Sequence, residues 1–134
     1  MASREMAELI RRLGIEAYRS RLIDNALRYL GESVELDLAN AEAHGGYGLA
    51  LLRKYALTSD KTFLEKSITH LRAFTELAPD DSRNYLFYAQ IGDACDKLGR
   101  PEEAGHAFST ALELNPNLPV PEHLRRKYLP NKFS

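Results

Sequence analysis

Residues 88–116 read YAQIGDACDKLGRPEEAGHAFSTALELNP. In this stretch Ala104, Ala107, Phe108, Ala111 and Leu112 fall at i, i+3, i+4, i+7 and i+8, the spacing of one apolar face of an α-helix. Tyr88, Ile91, Gly92 and Cys95 mark a similar face just before it. Gly99 between them reads as a helix stop. Pro101, followed by Glu102 and Glu103, reads as the next start, with Pro at the first position and acids in the first turn. Small residues at one position and large ones at the next let two helices approach and interdigitate. The stretch therefore predicts a helical hairpin.

Working outward, the same constellation recurs twice upstream. Gly14, Gly48 and Gly92 each follow a large apolar residue, Leu13, Tyr47 and Ile91, and Ile10, His44 and Tyr88 stand three residues before those. Later in each unit come Ala26, Ser67 and Ala104, then Leu30, Leu71 and Phe108, then Ser33, Phe74 and Ala111. Leu38, Pro79 and Pro116 close the three units. Gly14 and Gly48 are 34 residues apart and Gly48 and Gly92 are 44 apart, which fits a 34-residue unit with insertions near 55–63 and 82–84. A period of this length marks a stack of helical repeats.

The third unit, Tyr88-x-x-Ile91-Gly92-x-x-Cys95, then Gly99, Ala104, Phe108, Ala111 and Pro116, resembles a tetratricopeptide repeat (TPR). That pattern is W-x2-L-G-x2-Y, then A-x3-F, then P. Unit one departs from it at Ala17 and Leu38, and unit two at His44, Ser67 and Phe74. The resemblance implies an all-α fold, a right-handed superhelical stack of helix-turn-helix repeats with about seven helices. A single TPR domain over 1–134 is expected, with repeats at about 7–40, 41–81 and 85–118. Periodicity places helices at about 3–19, 22–37, 41–57, 63–77, 83–98 and 102–115. Thr62-x-x-Glu65 reads as a capping box and Ser82 as an N-cap. A seventh helix at about 121–128, with Leu124 and Tyr128 on one face, would cap the last repeat, and Arg125, Arg126 and Lys127 would supply its polar outer face.

Composition narrows the function. The 134 residues carry 18 Lys plus Arg and 19 Asp plus Glu, a net charge of -1, which is not the basic footprint of a nucleic-acid binder. One cysteine excludes an intramolecular disulfide and a cysteine-based zinc site. No apolar run approaches membrane-spanning length, and the first residues do not read as a secretory signal, so a cytoplasmic protein without membrane insertion is expected.

The resemblance implies that the first helix of each repeat lines a concave groove. The groove residues would be Arg11, Arg12, Ile15, Tyr18 and Arg19 from unit one. Unit two would add Gly45, Gly46, Leu49, Leu52 and Arg53, and unit three Gln90, Asp93 and Asp96. One end is then arginine-rich, the middle small and apolar, and the far end acidic, so a peptide of opposite polarity would be complementary. Gly45 and Gly46 have no packing reason legible in the sequence. They either admit a partner backbone or belong to a displaced helix start. A TPR subclass that clamps the C-terminal carboxylate of heat-shock chaperones uses Lys and Asn at groove positions. Here the matching positions are Arg11, Ile15 and Gly46, with Gln90 further on, and the asparagines are absent.

Catalytic signals are sparse. Glu103-x-x-His106 is half of a di-iron helix motif without its counterpart, and His44, His70 and His123 form no HExxH. Cys95 lies on an apolar face, the setting of an inert small hydrophobe. No enzyme, metal or cofactor is expected. The residues between 55 and 63 would lengthen both helices of unit two by about a turn, with Tyr55, Leu57 and Phe63 either packing together or forming a second contact surface. The reading is an adaptor whose groove binds a peptide or helix of another protein, or alternatively a self-assembling homo-oligomer.

Overall fold

A computed structural model describes residues 2–129, and the element order is seven α-helices. They are α1 (Ala2–Arg19), α2 (Ile23–Leu36), α3 (Ala41–Thr58), α4 (Thr62–Leu77), α5 (Asn84–Lys97), α6 (Pro101–Leu114) and α7 (Glu122–Tyr128). Each matches its sequence-derived counterpart to within one residue at either end. The helices pair in chain order, α1 with α2, α3 with α4 and α5 with α6, and α7 packs on α6. The chain divides into two compact units, one ending at Pro79 and one beginning at Asp80.

In the first unit the repeat glycines do what their register implies. A Cβ on Gly14 would lie 2.6 Å from Leu30 Cγ, and one on Gly48 would lie 2.8 Å from Leu71 Cγ. Leu30 and Leu71 are the large residues matched between repeats, and both are fully buried. Each hairpin thus closes by setting a leucine on the bare backbone of a glycine. The second hairpin packs on the first in turn. Ala50 and Tyr47 of α3 meet Ala17, Ala26 and Leu30. The insertion lengthens α3, which runs to Thr58, while Leu57 is 73% exposed and so takes no part in the expected cluster with Tyr55 and Phe63.

In the second unit Gly92 repeats the device, with the Phe108 ring 3.0 Å from where a Cβ would stand. Gly99 adopts φ 73° and ends the α5 region, and Pro101 opens α6 with Glu102 and Glu103 in its first turn. Cys95 is buried among the apolar residues of α5 and α6. The capping helix α7 buries Leu124 and packs Tyr128 at a tilt against Phe108, 5.8 Å between ring centres. Arg126 and Lys127 stay on its exposed side.

Two helix starts differ from expectation. At α4 the capping position falls on Lys61, whose side chain makes no cap, and Asp60 before it organises the turn: its carboxylate accepts the Thr62 N–H at 3.0 Å and the Thr62 hydroxyl at 2.8 Å. Asp81, not Ser82, organises the entry to α5 by accepting the Arg83 N–H at 2.8 Å while binding the Arg83 guanidinium. A carboxylate outcompetes a hydroxyl as acceptor in both places because its bonds are charge-assisted. The Arg83 bonds also pull the Asp81 carboxyl down to about 2.

Candidate functional site

The first helices of the two hairpins in the first unit, α1 and α3, carry most of the expected groove residues. Three of these come together. Tyr18 and Arg19 at the end of α1 and Arg53 near the end of α3 line one open pocket of about 450 Å³, with Arg21, Ile23, Ala56 and Leu57. The Arg53 guanidinium carbon lies 5.6 Å from the centre of the Tyr18 ring, a cation–π contact that holds both side chains at the pocket wall. Leu49 and Leu52 are half-buried on α3.

The arginine-rich end is composed differently from the sequence expectation. Arg11 is half-buried and held by Glu8: its Nε donates to one carboxylate oxygen at 3.0 Å and Nη2 to the other. Arg12 lies 3.7 Å from the same carboxylate. The Arg11 bond holds the Glu8 carboxyl below its usual value, and Glu8 in turn raises Arg11. Their charges are thus already matched inside α1. Arg19 remains with Arg53, and Arg21, which sequence reasoning did not select, joins them.

Gly45 and Gly46 are both buried rather than open to a partner. A Cβ on Gly46 would stand 2.8 Å from Ile15 Cδ1 and 3.3 Å from Leu30 Cδ2. Gly46 is therefore the point where α3 presses onto the first hairpin, which is the packing reason the sequence did not reveal. Ile15 is half-buried in the same contact.

In the second unit Gln90 is exposed, and both acids have partners. Asp93 pairs with Lys97 at 2.8 Å along α5. Asp96 is occupied by the capping helix: it accepts the Tyr128 hydroxyl at 2.5 Å and binds Lys127 Nζ at 2.9 Å. The Tyr128 bond, with Lys127, lowers the Asp96 carboxyl. Asp96 thus anchors α7.

One part-buried polar pair escaped the sequence reading. His44 on α3 and His70 on α4 bring their Nδ1 atoms within 3.0 Å, and the two rings stack. His44 Nε2 lies 2.8 Å from the Leu38 carbonyl. A carbonyl only accepts, so neutral His44 carries its proton on Nε2, and His70 donates from Nδ1 to His44 Nδ1. Burial, helped by neighbouring His44 and Lys66, pushes His70 down to about 4. Among the described residues no group of three or more His, Cys, Asp or Glu is placed to hold a metal ion. Glu103 and His106 are both exposed on α6.

The tetratricopeptide repeat profile matches residues 85–118. Solved structures extend that match to all three hairpins. The chain has the tetratricopeptide-repeat fold. The TPR domain of Arabidopsis OM64 is 21% identical, covers 96% of this chain and 98% of that one, and superposes with a TM-score of 0.74. The first TPR of Spaghetti (RPAP3), solved with the HSP90 peptide SRMEEVD, is 18% identical over 92% of this chain and 90% of that one, with a TM-score of 0.72. The N-terminal domain of stress-induced protein-1 from C. elegans is 17% identical over 96% of this chain and 95% of that one, with a TM-score of 0.69. No curated protein sequence matches significantly. The chain carries several repeats of this fold and a capping helix, and among its described residues no helix is long and apolar enough to cross a membrane.

Proposed function

We propose that this TPR chain is a non-catalytic interaction module that binds a peptide or helical segment of a partner protein along α1 and α3. The observation that carries the reading is the pocket at the ends of those helices. It gathers the neighbours Tyr18 and Arg19 of α1 with Arg53 of α3, all of them expected to face a partner. It joins uncompensated cationic groups to an aromatic wall, the composition of an anchoring point for a polar partner. The solved TPR of Spaghetti, with its bound peptide, supports the assignment by likeness of fold. We assign the module to the cytoplasm, as its composition suggests.

The test is capture of partners from cell lysate by the parent chain and by an Arg19→Glu, Leu52→Glu variant, with circular dichroism first showing that the variant is folded. A partner held by the parent and lost by the variant is the expected result. Equal recovery by both would remove the α1–α3 face as the binding surface.

A second reading, self-association, is favoured by one specific feature. Met6, Leu9 and Leu13 form an exposed stripe on α1, 46% to 53% accessible. In repeat register Leu9 and Leu13 correspond to Ala43 and Tyr47 of α3, and Ala43 is fully buried while Tyr47 packs on the first hairpin. The stripe is thus the face by which one hairpin mounts another. Light scattering over a range of concentrations tests it, and a constant monomer mass would exclude this reading.

A further inference from the structure

The pocket at the α1–α2 turn contains an arginine where the fold has a use for glycine. After α1 the chain closes with Leu22 N–H donating to the Ala17 carbonyl at 2.9 Å and Arg21 N–H to the Tyr18 carbonyl at 3.0 Å. Arg21 takes φ 64° to do so. The third repeat makes the same closure at the equivalent positions, in the register that matches Gly14 to Gly92. Arg100 N–H donates to the Cys95 carbonyl at 2.9 Å and Gly99 N–H to the Asp96 carbonyl at 3.0 Å, and the left-handed residue, φ 73°, is Gly99. A left-handed C-terminal position suits glycine and strains a residue with a Cβ. The first repeat thus accepts backbone strain in order to place a guanidinium there.

That guanidinium joins two others. Arg19, Arg21 and Arg53 line one pocket, and among the described residues none of the three has a carboxylate at ion-pair distance. Two nearby cations of the unit are paired: Arg11 is bound by Glu8, and Lys54, next to Arg53, pairs with Asp24 at 2.8 Å. The rest of the wall is apolar or aromatic, from Tyr18, Ile23 and a Leu57 that is 73% exposed. Three fork-shaped donors exceed what one carboxylate can accept. A phosphate monoester offers three terminal oxygens and a charge near -2, which suits three guanidinium groups.

We propose that this pocket binds a phosphorylated side chain of the partner segment, a phosphate monoester on an apolar stem, with Arg19, Arg21 and Arg53 holding the phosphate and Tyr18 and Leu57 the stem. The proposal rests on the protein-binding reading above and names the chemistry that reading would recognise.

The probe is phenyl phosphate, titrated into the isotope-labelled full chain and followed by amide chemical shifts, with benzoate and inorganic phosphate in parallel. Shifts centred on Tyr18, Arg21 and Leu57 are expected, with phenyl phosphate the tightest of the three. The decisive variant is Arg21→Gly. It should raise Tm by about 3 °C, since strain is removed, and weaken phenyl phosphate about tenfold through the loss of one charge-assisted contact. Arg53→Gln should weaken it similarly, with the fold intact by circular dichroism. Unchanged affinity in Arg21→Gly, or shifts centred elsewhere, overturns the proposal. Benzoate binding as tightly as phenyl phosphate overturns the phosphate assignment. Inorganic phosphate binding as tightly overturns the apolar stem. Partner capture separates the two readings. A partner held equally before and after phosphatase treatment defeats this proposal and leaves the adaptor standing. Phenyl phosphate binding with no captured partner defeats the adaptor and leaves the pocket.

Discussion

Acidification should loosen the second hairpin through the part-buried histidine pair. His70 donates to His44 across 3.0 Å, while His44 is committed to the Leu38 carbonyl on its other side. A second proton on His70 goes to Nε2 and leaves the bond to His44 in place, so it is burial, with His44 and Lys66 nearby, that disfavours the charged ring. His70 also has the Tyr47 ring at 4.7 Å in an edge arrangement, which helps to bury it. Its native value is about 4 against 6.5 for the free side chain. Between these values the unfolded chain holds a proton that the native chain does not. Stability from this group is therefore full above about pH 6.5 and is lost as pH falls toward 4. At 1.36 kcal/mol per pH unit the ceiling is about 3.4 kcal/mol. The ring keeps partial access to solvent, which screens this to about 1–2 kcal/mol. The assay is urea unfolding by circular dichroism at pH 7.5 and 5.0, for the parent and for His70→Gln, whose amide still donates to His44. The parent should lose about 1 kcal/mol more than the variant across that interval. A His70 ring that titrates by NMR at 6.5 or above, or an equal loss in both proteins, would refute the argument.

Glycine-to-alanine changes should divide by register. Gly14→Ala and Gly48→Ala force a Cβ against the branch point of a buried leucine and should each cost about 1–2 kcal/mol in urea unfolding. Gly31→Ala and Gly105→Ala meet only tyrosine ring atoms at 3.5 Å and should each stabilise by up to about 1 kcal/mol, because alanine favours helix. Tyr128→Phe removes the hydroxyl bond to Asp96. It should cost about 1 kcal/mol, raise the Asp96 carboxyl toward its ordinary value in an NMR titration, and speed amide exchange in α7 without changing α1 to α4. At lower pH, stability contributed by Asp96 should persist above the ordinary carboxylate value and vanish below its lowered one.

The seven helices, their pairing and the repeat register were all legible in the sequence. The information that specifies them is local and periodic. Apolar residues at helical spacing, Pro101 with its acids and Gly99 each act within a few residues of themselves. Repetition let Gly14, Gly48 and Gly92 vouch for one another, and the structure sets Leu30, Leu71 and Phe108 on those glycines. Tertiary structure decided which side chains stay available. Arg11 and Asp96 are charged positions on first helices, as expected, yet Glu8 and the capping helix occupy them. Gly46 was silent until Ile15 was seen pressed against it. The histidine pair joins residues 26 apart that carry no motif. Arg21 passed unnoticed because nothing in its neighbours announces a left-handed backbone, which depends on how α1 closes onto α2. Helix formation is set by residues three and four apart and so is written along the chain, whereas the pairing of a charge or the burial of a glycine depends on which helices meet in space.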